Sequence, residues 1–158
     1  MQKQILKGLT MLMIIAAVAL MAALVSAHAQ TLGPVVADIP FDFAVGSKSL
    51  KAGEYSVRPF TAKGDVVAIS NEDSNESAVR LTQPIQARTV PQKATLVFHR
   101  YGERYFLSEI WTPGQRTGRQ LMKSGEERAV EIQLAANSSK SELARHSYET
   151  VEIVAMVR

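Results

Sequence analysis

Ala94–Trp111 constrains the fold of this chain more than any other stretch. Two apolar, aromatic-rich runs flank Gly102-Glu103, and glycine at the first position of a two-residue loop suits a type II′ hairpin turn. In that register Tyr101 faces Arg104, Phe98 faces Leu107 and Leu96 faces Glu109. One side of the hairpin then carries Leu96, Phe98, Arg100, Tyr105, Leu107, Glu109 and Trp111. The other carries Val97, His99, Tyr101, Arg104, Phe106, Ser108 and Ile110. Both sides are largely apolar, which predicts a central hairpin covered on each face. A three-residue loop would shift the pairing by one and mix the two sets.

The segments around the hairpin also read as short strands. Ile39, Phe41, Phe43 and Val45 alternate with Asp38, Pro40, Asp42 and Ala44, the period of a half-buried strand. Pro40 donates no ladder hydrogen bond and puts that strand at an edge or a bulge. Gly46-Ser47 ends it, and Glu54–Phe60 follows as a strand with Tyr55 and Val57 on one side. Asp65–Ser70 and Glu76–Thr82 form a hairpin about the polar turn Asn71–Asn75. Gln83–Lys93, with Pro84 and Pro91, reads as a surface loop holding at most a short strand near Ile85. Gln115–Lys123 reads as a basic, flexible connection. Tyr148–Val157 closes the chain as a strand with Val151, Ile153, Ala155 and Val157 on one side.

One helix stands out. Ser124-Gly125-Glu126-Glu127 fits a capping box, with serine at the N-cap and glutamate at N3, and the acidic pair suits the positive end of a helix dipole. Gly125–Asn137 is therefore read as helix. The competing reading is a strand, because Val130, Ile132 and Leu134 alternate with Glu131 and Gln133. Glu142–Arg145 adds a helical turn. Many short strands with frequent turn signals, plus one helix, predict a mainly β fold. The expected architecture is an antiparallel β-barrel or β-sandwich of roughly seven to eight strands, with one helix from the C-terminal half packed on it.

The first 29 residues lie outside that domain. Lys3 and Lys7 precede Leu9–Val25, an uncharged apolar run of 17 residues, and Ala27-His28-Ala29 then offers small residues at Ala27 and Ala29. That is the layout of a secretory signal peptide. The expected organisation is a signal over 1–29 and one exported domain over 30–158, in the periplasm or outside the cell. A 17-residue apolar run sits at the lower limit for a membrane helix, which keeps a tethered form as the alternative. Lys3 and Lys7 belong to the 18 basic residues, whereas all 15 acidic residues follow the leader. The domain itself is close to neutral, which gives no electrostatic case for nucleic acid. Cysteine is absent, so the fold rests on its core without disulfides, and thiol chemistry and cysteine-based metal sites are excluded.

Phe98-His99-Arg100-Tyr101-Gly102-Glu103-Arg104-Tyr105-Phe106-Leu107-Ser108-Glu109-Ile110-Trp111, with Gly118-Arg119 after it, has a counterpart elsewhere. So has Ile39-Pro40-Phe41-Asp42-Phe43-Ala44-Val45-Gly46, followed by Leu50 and Ala52-Gly53-Glu54-Tyr55. Together they resemble a family of short, signal-peptide-bearing, uncharacterised bacterial exported proteins. The resemblance covers most of the domain and departs around Gly125–Ser147, where the connection to the last strand is longer. It implies a bacterial cell envelope and no particular chemistry.

Few residues carry candidate chemistry. His99 is the histidine inside a clear strand, and a single histidine makes no metal cage. It reads as a general base or, more simply, as a ring stacked among Tyr101 and Phe106. Glu109 shares its expected face with Leu96, Phe98, Leu107 and Trp111, and a carboxylate in apolar surroundings is a functional candidate. Arg116, Arg119, Lys123 and Arg128 form a basic stretch without interleaved aromatics, which reads as a solvated loop. The expectation is a non-enzymatic structural or binding module, with no cofactor and no metal. Any small apolar ligand would sit in a barrel interior lined by Phe98, Arg100, Tyr105, Leu107, Glu109 and Trp111, and an envelope protein is the other expected partner. The alternative is an envelope hydrolase or isomerase using Glu109 and His99, which the register places on opposite faces.

Overall fold

The computed structural model describes residues 33–137 and 148–158. The segment expected to be a leader, with Ala27, His28 and Ala29, the helical turn expected over Glu142–Arg145, and His146 lie outside the described residues. Ten strands and one helix follow in chain order: β1 Val35–Ile39, β2 Phe43–Val45, β3 Lys48–Leu50, β4 Gly53–Pro59, β5 Val66–Ser70, β6 Ser77–Gln86, β7 Ala94–Tyr101, β8 Arg104–Trp111, β9 Thr117–Leu121, α1 Gly125–Asn137 and β10 Glu149–Val157.

Eight of the strands close into an antiparallel barrel in the order β8-β7-β10-β1-β4-β5-β6-β9, with β9 returning to β8. Closure removes the free edges that an open sheet would expose. The barrel thus selects one of the two expected architectures. The two remaining strands, β2 and β3, form a small hairpin on the rim. Along one edge of β8, Tyr105 and Phe106 pair with β2 in parallel, and Glu109 and Ile110 pair with β9.

Side chains alternate in and out along each strand. The inward rows of Ile39, Leu50, Tyr55, Ile69, Leu96 and Phe98 are essentially inaccessible to solvent. Aromatic rings interlock there. Phe43 meets Tyr55 and Phe98 edge-on at 5.0 and 5.4 Å, and Phe41 meets Phe98 edge-on at 5.3 Å. Phe41 also stacks on Tyr105 at 3.9 Å. The interior at this level is filled by side chains.

Three elements depart from the sequence reading. The expected Ile39–Val45 strand is broken at Pro40-Phe41-Asp42: β1 ends at Ile39 and β2 starts at Phe43. Pro40 has no N–H to extend the β1 ladder, and Asp42 turns to the Lys51 ammonium and the Ala52 N–H. The loop expected over Gln83–Lys93 is strand as far as Gln86. Pro84 is tolerated because β6 has passed its last partner on β5 at Leu81 and is held by β9. The connection expected over Gln115–Lys123 contains β9, which completes the barrel.

Ser124 caps the helix as expected, while the Glu127 carboxylate of the expected capping box is taken up by His99 and Tyr101. Ser124 Oγ accepts the Glu127 N–H at 3.0 Å, and the Ser124 carbonyl accepts the Arg128 N–H at 3.1 Å. Val130 and Leu134, one turn apart, pack on Ala44, Tyr101 and Phe106 outside the barrel. The central hairpin is therefore covered on both faces, by the core inside and by α1 outside.

Candidate functional site

The hairpin turn follows the expected two-residue geometry, with Gly102 at φ 63°. Tyr101 faces Arg104 and Phe98 faces Leu107 as expected, but the register slips one residue further on. A β-bulge at Ser108 makes Val97 the partner of Glu109, and Leu96 the partner of Ile110. Every residue beyond the bulge changes side. Phe98, Tyr105 and Leu107 point inward to the core, whereas Glu109 and Trp111 share the outer face with Val97. Arg100 lies at the hairpin end, with its guanidinium over the Tyr105 ring and 3.2 Å from Glu149. The six residues expected to line one interior pocket are thus divided between two faces.

Glu109 and His99, expected on opposite faces, both lie on the outer one. They are nonetheless engaged separately. Trp111 Nε1 donates to Glu109 at 2.8 Å. The indole ring lies flat over Gly118 of β9, where an added Cβ would come within 2.4 Å of it. Glycine at this position is required by the close approach of a ring and not by its backbone angle.

His99 instead takes part in a buried polar cluster beneath α1. Its Nδ1 lies 3.0 Å from Glu127 Oε1, and the Tyr101 hydroxyl donates to the same oxygen at 3.2 Å. His99 and Glu127 are both more than nine-tenths buried. In the tautomer that carries its proton on Nδ1, the imidazole donates to this carboxylate. The Tyr148 ring stacks on His99 at 3.9 Å. Burial, and then the Glu127 charge, push the Tyr101 phenol well above its ordinary range. Two ion pairs fasten the surrounding chain: Arg104 with Glu126, and Lys123 with Glu131 at 2.8 Å.

The cluster borders a cleft of about 240 Å³, lined by Gln83, His99, Ser108, Gln120, Leu121, Met122, Lys123 and Arg128. Of these, sequence reasoning singled out only His99 as a possible site residue. Glu127 was legible as a helix cap, but its bond to a histidine 28 positions earlier depends on which strand the helix crosses. Ser108 carried no sequence signal, because an alternating pattern does not reveal an extra residue.

Among the described residues no three His, Asp or Glu side chains gather as a metal site would require, and no helix is long and apolar enough to cross a membrane. Compared with family models, curated proteins and solved structures, the chain matches none.

Proposed function

We propose that this chain is an exported cell-envelope protein whose barrel serves as a non-enzymatic structural or binding module. The observation that carries the second half of this reading is the filled interior. Phe43, Tyr55, Leu96 and Phe98 occupy the space that a ligand-carrying barrel leaves open. Recognition is therefore assigned to the outer surface. Export is supported by the leader alone, through Lys3, Lys7, the Leu9–Val25 run and Ala27-His28-Ala29.

An enzyme built on Glu109 and His99 has less support, since each side chain is bound to a different partner and Glu109 does not line the cleft that His99 borders. N-terminal sequencing of protein recovered from the producing bacterium tests the export half. A mature chain starting at Gln30 is expected, and a retained Met1 contradicts cleavage.

A further inference from the structure

The geometry points to the cleft between β8, β9 and the start of α1 as a binding site for a small polar carboxylate, one carrying a hydroxyl or amide N–H beside its carboxyl group. This rests on the reading of the barrel as a binding module and names the chemistry of its ligand.

Two atoms carry the inference. Among the described residues, every buried side-chain nitrogen and oxygen has a hydrogen-bond partner. Ser108 is 5% exposed and His99 7% exposed, yet Ser108 Oγ and His99 Nε2 have no hydrogen-bond partner among the described residues. Both must therefore meet solvent, and the cleft that both residues line is where they do so. Both side chains are thus buried except at the polar atom that meets the cleft, so a polar ligand entering there finds a hydroxyl and an imidazole nitrogen that no described protein group occupies.

The donor set selects the ligand. Glu127 occupies the Nδ1 side of the imidazole, so Nε2 is the ring nitrogen left for a ligand, and in the neutral Nδ1–H tautomer it accepts from a hydroxyl or an amide. Arg128 donates through Nε to the Ser124 carbonyl at 3.3 Å, and its terminal nitrogens form no ion pair among the described residues. That leaves a planar fork matched to a carboxylate. Lys123 is already neutralised by Glu131, which leaves Arg128 as the unneutralised cation of the lining. Gln83 Nε2 donates to Gln120 Oε1 at 3.2 Å, which leaves the Gln120 amide nitrogen as a further donor on the lining. Leu121 and Met122 supply apolar contact. At about 240 Å³ the cleft is smaller than a drug-sized pocket, the size for one sugar acid or one terminal amino acid.

A uronic acid and a peptide C-terminus share this chemistry, so D-glucuronate and N-acetylalanine are the probes, with glucose and inorganic phosphate as controls. Titration of the folded full chain by NMR, and by Trp111 fluorescence, should show saturable binding of at least one carboxylate probe and none of glucose. Whichever acid binds identifies the source. Arg128→Gln and Ser108→Ala should each weaken binding about tenfold or more while leaving the melting temperature nearly unchanged. Arg128 is exposed, so its variant remains informative even if Ser108→Ala unfolds. Absence of binding by both acids to the folded protein, or phosphate binding as tightly as they do, overturns the site. Recovery of the bound acid in altered form would contradict the non-enzymatic reading and leave the site standing.

Discussion

Tyr55 has its hydroxyl 2.9 Å from both the Lys51 carbonyl oxygen and a Glu76 carboxylate oxygen, so one proton serves two acceptors. Burial, and then the Glu76 acceptor, push its pKa up to about 12. An unfolded tyrosine ionises near 10. The folded state therefore holds this proton more tightly. Its contribution to stability is complete below about pH 10 and disappears as pH rises through about 12. The window is worth roughly 2–3 kcal/mol, and Tyr101 acts in the same direction. Urea unfolding across that range should show a steep alkaline loss that Tyr55→Phe makes shallower; equal slopes in the two proteins would contradict it. Glu127 gives a second test. Glu127→Ala strands His99 Nδ1 and the Tyr101 hydroxyl and should cost about 3 kcal/mol or more, whereas Glu127→Gln keeps an acceptor and should cost visibly less. Identical losses for the two variants would remove Glu127 as the link between helix and barrel.

The β7–β8 hairpin shows how far a sequence pattern reaches at the scale of an element. Its turn, its first pairs and its two covered faces follow from Gly102-Glu103 and the apolar alternation. The reading fails at Ser108, because period two assumes one residue opposite one. An inserted residue is invisible until the partner strand is known. For the same reason β9 was hidden: Thr117–Leu121 alternates weakly, and its pairing is set by β6 and β8 over long sequence separations. Gly118 falls within the connection expected over Gln115–Lys123, whereas in the fold it makes room for the Trp111 ring. Deleting Ser108 should restore flush pairing, turn Glu109 and Trp111 inward and abolish cooperative unfolding followed by circular dichroism. A deletion that melts like the parent would mean the bulge carries no register information. Gly118→Ala should displace the indole and change Trp111 emission with a loss of about 1–3 kcal/mol, as overpacking does. Unchanged emission and melting would contradict that contact.

For the whole molecule, the decisive property is that the barrel is closed and filled. Closure was within reach of the sequence as one of two β architectures. The filling was not, because it depends on the Phe41–Phe43 segment leaving the β1 line to stack against Phe98, Tyr105 and Tyr55. Phe98→Ala should cost about 3–5 kcal/mol, since the surrounding rings relax only in part. A filled interior moves recognition to the surface, where the outer face of β7 and β8, the Ser108 bulge and the capped start of α1 meet at one cleft. Crystals of the protein held under xenon pressure test this most directly, because xenon occupies apolar voids that water leaves empty. The account predicts no xenon among Phe98, Tyr105 and Leu107. An ordered xenon atom bound between those side chains would show a hollow barrel and contradict it.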